Sequence, residues 1–378
     1  MAPVLTRYLY HRDEVCHSLL TCLLLKKNSF KEALFWTSEI YYSGYQEDIW
    51  ELLWKIYYDF FAICNPKFEK KIKRAYIKWQ KDSSIEYIVT VVNLLYHCST
   101  LTPTVFRLRI LKVAVPTSIY LGRTPKWIAS LKLSKKERGF IRSIHKKKFD
   151  NISYYCSQIS SDLPRCYEIV WQYFTSIKGY SLKKICYKDI PYRNKLHILL
   201  TLICYLMMES KEEIAQIRKI ALVRKLEKES IEFFQSTNVL VEPAWKTLPQ
   251  RRLYAIQEWV GAFPLKRADN NIEWNKILWY YWEYYARKCP LWKKRFDEYN
   301  VCFNENEKSP VFPNDDLLEE FYEKYGLEPD EQSRDCQEKS LCKLPKKTFS
   351  MWINSIFPGV NIEDNISKQQ LVYFAFRE

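Results

Sequence analysis

The sequence predicts an all-α chain: an array of short helical hairpins, solenoid-like or irregular, with a short strand at the C-terminus. Three observations carry this expectation. Helix-opening signals recur ahead of apolar runs, as Ser29 with Glu32, Ser134 with Glu137, and Asp162 with Pro164. Few stretches alternate apolar and polar residues with the period of two that a half-buried strand requires. Glycine accounts for only 7 of 378 residues, too few for Gly-rich sandwiches, propellers or doubly wound nucleotide folds.

In chain order, the helix opened by Ser29 ends near Gly44, where a left-handed residue can stop it. The next segment contains WELLWKIYYDFFAIC, residues 50–64. Its charges, with Glu47 just upstream, fall at Glu47, Glu51, Lys55 and Asp59, and steps of four trace one thin stripe down a helix. Nearly everything else around that helix is apolar or aromatic. It should therefore be an inner element, wet only along Glu51, Lys55 and Asp59. Pro66 stops it and starts a helix over Lys67–Lys81, and Ser83 or Ser84 opens another to about Cys98. Thr102-Pro103 reads as an N-cap, Ser134 opens a basic helix to Lys148, and Asp162 opens one that passes Trp171 and Phe174 to end near Gly179. Further helices are expected over 193–208, 210–236, 250–262, 272–288, 290–299, 315–325 and 348–356, and QLVYFAF, 370–376, is the best strand. No exact repeat of 34 or 40 residues is visible. Pro- and Gly-bearing stretches suggest four regions: an N-terminal helical region 1–120, a basic middle region 121–242, an aromatic region 243–303 and an acidic segment 304–378 that opens with a polar linker.

The chain has 59 Lys and Arg against 44 Asp and Glu, a formal charge of +15. This balance favours an acidic partner: nucleic acid, an anionic membrane surface or an acidic protein. Twelve cysteines lie without repeated spacing, several among apolar neighbours, such as Cys64, Cys98, Cys186 and Cys204. Free thiols in a reducing compartment are the expectation, in keeping with an N-terminus whose early charges interrupt any signal-peptide run. The run LHILLTLICYLMM, 196–208, is too short to span a bilayer and reads as a buried helix. No transmembrane segment is expected, although peripheral membrane contact is compatible with the charge.

Signatures of catalysis are missing. There is no G-x-x-x-x-G-K-[ST], G-x-G-x-x-G, H-E-x-x-H or G-x-S-x-G. The expectation is a non-enzyme with no cofactor, no metal and no small-molecule substrate. His11, Cys16, His17 and Cys22 are close in sequence but lack the paired short spacing of zinc sites. Basic residues are the better signal. Lys67, Lys70, Lys71, Arg74, Lys78 and Lys81 recur at steps of three and four and form one broad cationic face. A second cationic region ends in Arg142, Lys146, Lys147 and Lys148. Both suit phosphate contacts that are independent of sequence and sensitive to salt. Tyr76 and Trp79 are interleaved with the first group, as single-strand binders require. In WNKILWYYWEYYARKCPLWKKRFDEY, 274–299, the residues Trp279, Tyr280, Trp282 and Trp292 are candidate anchors for a protein interface. The acids Asp315, Asp316, Glu319, Glu320, Glu323, Glu328, Asp330 and Glu331 give the last region the opposite sign, which would allow head-to-tail pairing between copies.

Three stretches, EALFWTSEIYYSGYQEDIWELLWKIYYDF (32–60), YYARKCPLWKKRFDEY (284–299) and LLEEFYEKYGLEPDEQS (317–333), resemble uncharacterised α-helical proteins of the nucleocytoplasmic large DNA viruses, the giant-virus group. The resemblance brings no catalytic residues. It implies a setting in host cytoplasm and virion, with other virion proteins or copies of the chain itself as partners. Two functions follow as expectations. One is a non-enzymatic structural or minor-capsid-associated protein that works through aromatic and charged interfaces. The alternative is a basic nucleic-acid-associated factor in viral replication, transcription or genome packaging.

Overall fold

The computed structural model describes residues 4–7, 9–26, 30–98, 105, 126–129, 131, 133–159, 162–180, 187–207, 255–256, 274–325, 346–347 and 354–359. Helices dominate these residues. The first hairpin is α1 (Arg12–Leu25) against α2 (Phe30–Tyr42). Next comes α3 (Gln46–Ile56), which runs directly into a π-helical turn, Tyr57–Phe61. The pair α4 (Phe68–Asp82) and α5 (Ile85–His97) forms a second hairpin, and α5 also packs on α1, α2 and α3. A third hairpin joins α6 (Lys135–His145) to α7 (Phe149–Ile159). Then α8 (Leu163–Gln172) passes into a second π turn, Tyr173–Ile177, and packs on α6 and on α9 (Lys195–Met207). After α9 come β1 (Ala255–Ile256), α10 (Trp274–Ala286), α11 (Pro290–Glu298), β2 (Cys302–Asn304), β3 (Ser309–Val311), α12 (Asp315–Tyr325) and β4 (Lys346–Lys347).

The caps are where the side chains place them. Ser84 accepts from the Glu86 N–H and opens α5, and Asp162 accepts from the Arg165 N–H with Pro164 in the first turn of α8. Ser134 and Glu137 form the full reciprocal box. That helix ends at His145 and not at Lys148, because Lys147 takes φ 53° and turns the chain into α7. Gly44, at φ +92°, follows α2. Ser29, Thr102-Pro103, all of 210–236 and the strand expected at 370–376 lie outside the described residues.

Two expectations are corrected. Within 250–262, Ala255–Ile256 pair in parallel with Lys346–Lys347 as strands, so that part is not helical. The stretch 304–314 is no plain linker, because β2 and β3 form an antiparallel hairpin pairing Phe303 with Pro310. Its turn is built by the Asn304 side chain, which accepts from the backbone N–H groups of Asn306 and Glu307, and by left-handed Lys308. The short strands otherwise leave the all-α class intact.

Buried side chains from the first 207 residues and from α10, α11 and α12 form one continuous hydrophobic cluster. A joint between distant parts of the chain runs through it. Leu291 N–H donates to the Ser43 carbonyl at 3.3 Å, and Trp292 Nε1 donates to the Arg7 carbonyl at 3.0 Å. Arg7 is itself buried and forms an ion pair with buried Glu39 at 2.9 Å, and its N–H donates to Ser43 Oγ at 2.7 Å. Among the described residues, no helix is long and apolar enough to cross a membrane.

Candidate nucleic-acid interface

Helix α4 exists because Pro66 breaks the preceding turn and because Ile72, Ala75 and Trp79 recur at helical spacing. These three side chains are buried. Their burial turns the other side of α4 outward, and Lys67, Lys70, Lys71, Arg74, Lys78 and Lys81 are all exposed there. At 3.6 residues per turn, the six fall within a ~100° arc along ~21 Å of helix. No carboxylate among the described residues lies within ion-pair distance of any of them.

The acids of α4 are occupied elsewhere. Glu69 accepts from the Tyr58 hydroxyl at 3.0 Å, while its N–H donates to the Tyr57 hydroxyl at 3.1 Å. Burial raises the Glu69 pKa. Asp82 accepts from Ser84 N–H at 3.0 Å and from the Tyr87 hydroxyl at 2.9 Å. Both carboxylates are held by local hydrogen bonds, and neither forms an ion pair with the cationic arc, although Glu69 stays within the field of Lys73 and Lys70.

The aromatic residues interleaved in this stretch are turned the other way. Tyr76 packs edge-on against Trp50 at 5.2 Å and tilted against Trp79 at 5.9 Å, and Trp79 reaches Trp50 at 5.8 Å. Phe68 is half-buried, with Lys71 Nζ 5.0 Å from its ring centroid.

The second cationic region divides. Lys146, Lys147 and Lys148 are exposed at the end of α6, but Arg142 is half-buried one turn earlier. Phe140, Ile141, Ser143 and Ile144 around it face the core, so its guanidinium is held against the protein and is a poor phosphate contact. His145 Nδ1 lies 2.9 Å from the Tyr173 hydroxyl, and burial depresses its pKa, with Lys178 and Lys146 adding to the effect.

The proposed aromatic anchors divide as well. Tyr280 is 73% exposed, whereas Trp282 is 1% and Trp292 is 0% exposed. The physical reason is a break in α10 at Tyr281, whose φ −136° and ψ 26° interrupt the helix. Trp282 is then directed inward onto Trp292 at 5.0 Å. These two indoles anchor an internal joint, not an outside partner. The side chain of Trp279 lies outside the described residues. The acids Asp315, Asp316, Glu319, Glu320 and Glu323 of α12 are exposed, and Glu328, Asp330 and Glu331 fall outside the described residues.

Sequence reasoning missed a buried polar centre. Asp59 is 3% exposed and does not complete a wet stripe. Its Oδ1 lies 2.8 Å from His197 Nε2, and His197 Nδ1 lies 2.9 Å from the Tyr192 hydroxyl. The π turn is the reason. Ala62 N–H bonds back to Tyr57 O, five residues away, which widens that turn and rotates Asp59 off the line of Glu51 and Lys55. Trp54, Tyr58 and Tyr192 stack around this centre, with interplanar angles of 17° to 21°. Two sequence signals were present, an acid inside an aromatic run, YYDFF, and a lone histidine opening an apolar helix.

Burial pushes Cys64 up to about 11 and Cys204 up to about 12, and raises Cys156 as well. Compared with protein-family models, with curated proteins and with solved structures, the chain matches none.

Proposed function

We propose that the chain is a non-enzymatic binding protein that engages nucleic acid through the cationic face of α4. The observation that carries this reading is the arc of six exposed cations whose neighbouring acids, Glu69 and Asp82, are bonded elsewhere. An evenly solvated helix would mix signs along its face, and this one does not. A lipid surface is the weaker partner, because a membrane-seeking helix immerses its apolar side and here Ile72, Ala75 and Trp79 are already buried in the protein.

The test is charge reversal of Lys70, Lys71, Arg74 and Lys78 to Glu, followed by fluorescence anisotropy with labelled DNA across a salt series. Neutralising six phosphates gives a slope of log K against log salt of about −5, and reversing four cations should remove most of it. Unchanged affinity and slope in a folded variant would remove α4 from the interaction.

A second reading, a capsid-associated structural component of a large DNA virus, is supported by the exposed acids of α12 opposite in sign to α4 and by the exposed ring of Tyr280. It predicts that the purified chain self-associates at low salt and that the same quadruple reversal abolishes that association. A monomer at every salt concentration, and absence from nuclease-treated particles, would eliminate it.

A further inference from the structure

We infer that the α4 face is built for the backbone of double-stranded nucleic acid and discriminates against single strands; this rests on the nucleic-acid reading above. Sequence-tolerant single-strand binding combines a cationic track with exposed rings, and each stacked base contributes about 1–3 kcal/mol. The α4 surface has the first component and lacks the second. Trp79 is buried, Tyr76 is engaged with Trp50 and Trp79, and the half-buried Phe68 ring carries Lys71. The large apolar side chain exposed on α4 is Ile77, at 42%, which has no ring to offer.

The cations are also arranged for a regular polyanion. They fall into two rows, Lys67–Lys71–Lys78 and Lys70–Arg74–Lys81. Each row steps four and then seven residues, about 6 Å and then about 10 Å along the axis. Phosphates of one strand in a duplex advance 3.4 Å along its axis while winding around it, so each row meets the backbone where the helix crosses it. Two rows on a rigid helix can follow a rigid duplex without reordering it. A flexible single strand has to be straightened to meet the same six charges, with no stacking to offset the lost entropy.

Counterion release sets the size of the effect. A slope of about −0.9 per phosphate on duplex, against about −0.7 on single strand, gives six contacts a difference of about 1 in slope and roughly tenfold in affinity near 0.1 M salt. Base identity should not matter, because no side chain on this face is placed to read base edges beyond flexible Lys and Arg.

The experiment uses the full chain, a labelled 20-base-pair duplex in AT-rich and GC-rich versions, and labelled oligo-dT of the same length. Anisotropy is read from 50 to 300 mM salt for the wild type, for Trp79→Phe and for the quadruple reversal. The expected result is duplex binding about tenfold tighter than oligo-dT, equal for both duplexes, unchanged in Trp79→Phe and lost in the quadruple variant. Oligo-dT bound as tightly as duplex, or weakened by Trp79→Phe, would overturn the duplex inference while leaving nucleic-acid binding in place. A preference between the AT-rich and GC-rich duplexes would overturn the backbone-only reading. No binding to any of the three would overturn the proposed function itself.

Discussion

Replacing Gly44 by Ala tests the joint between the N-terminal hairpin and α11. Gly44 sits at φ +92°, and a β-carbon there would lie 2.6 Å from Pro290 Cβ and 3.2 Å from Pro290 Cγ. The backbone contribution alone is about 1–2 kcal/mol for an L-residue in the left-handed region. Carbon–carbon contacts are comfortable at about 3.5–4.0 Å, so Pro290 must retreat by ~1 Å. Forcing a methyl into a filled site of this kind costs about 1–3 kcal/mol, which brings the expected loss to ~2–5 kcal/mol. The displacement falls on bonds with no slack. The Leu291 N–H to Ser43 carbonyl bond is already 3.3 Å long, and the Cys289 thiol reaches the same carbonyl at 3.4 Å. The assay is urea unfolding, with hydrogen exchange followed over 290–299. Gly179→Ala is the control, because Gly179 also has positive φ, +68°, but a methyl added there would meet nothing within 4 Å. It should lose only the backbone contribution of about 1–2 kcal/mol, with exchange in 290–299 unaltered. Equal losses in the two variants, or unchanged protection of Leu291 and Trp292 in Gly44→Ala, would refute the claim that Gly44 is required by the close approach of Pro290.

Other perturbations address the core and its titration. Trp54→Ala removes a fully buried indole stacked on Tyr58 and Tyr192, and a loss of about 3–5 kcal/mol in chemical unfolding is expected. Wild-type stability in that variant would place Trp54 outside the core. Asp59→Ala leaves His197 Nε2 buried without its 2.8 Å partner and should lose about 1–3 kcal/mol, whereas exchanging Asp59 and His197 together for apolar residues of similar volume should restore part of it. If the double replacement is no better than the single one, the pair is not energetically coupled. His17 is fully buried, and desolvation lowers its pKa from 6.5 to about 3. The unfolded chain therefore takes up a proton below pH 6.5 that the folded chain refuses, so stability falls as pH drops through that window, by ~2 kcal/mol between pH 7 and pH 5. His17→Leu should flatten that part of the decline in pH-dependent urea midpoints, and an unaltered profile would exclude His17 as its source.

Local signals in this chain were legible because they depend on neighbours in sequence. Ser84, Ser134 with Glu137, and Asp162 with Pro164 cap helices through bonds that span two or three residues, so the caps could be read directly. The α4 face was equally readable, since helical spacing alone separates its lysines from Ile72 and Trp79. What could not be read depends on partners far along the chain. Asp59 meets His197 only because a π turn shifts it, and a run of aromatic residues carries no marker of that turn. Trp282 and Trp292 looked like anchors for an outside protein, since composition is the same for an external interface and for one between distant parts of a single chain. The partner of Trp292, the Arg7 carbonyl, is a backbone atom to which no residue type points.

The bond from Trp292 to Arg7 spans 285 residues. At a synthesis rate of about 5–20 residues per second, roughly 15–60 s separate the emergence of its two ends from the ribosome. Over that interval the first hairpins are complete, yet the Arg7 and Ser43 carbonyls stand open beside the apolar seat that Trp292 will fill. A growing chain is therefore at its stickiest midway through translation, when its early helices are formed and their lid has not been made. Chaperone demand should concentrate there, and a message that pauses before codon 290 should yield more aggregate than one that pauses near its last codons.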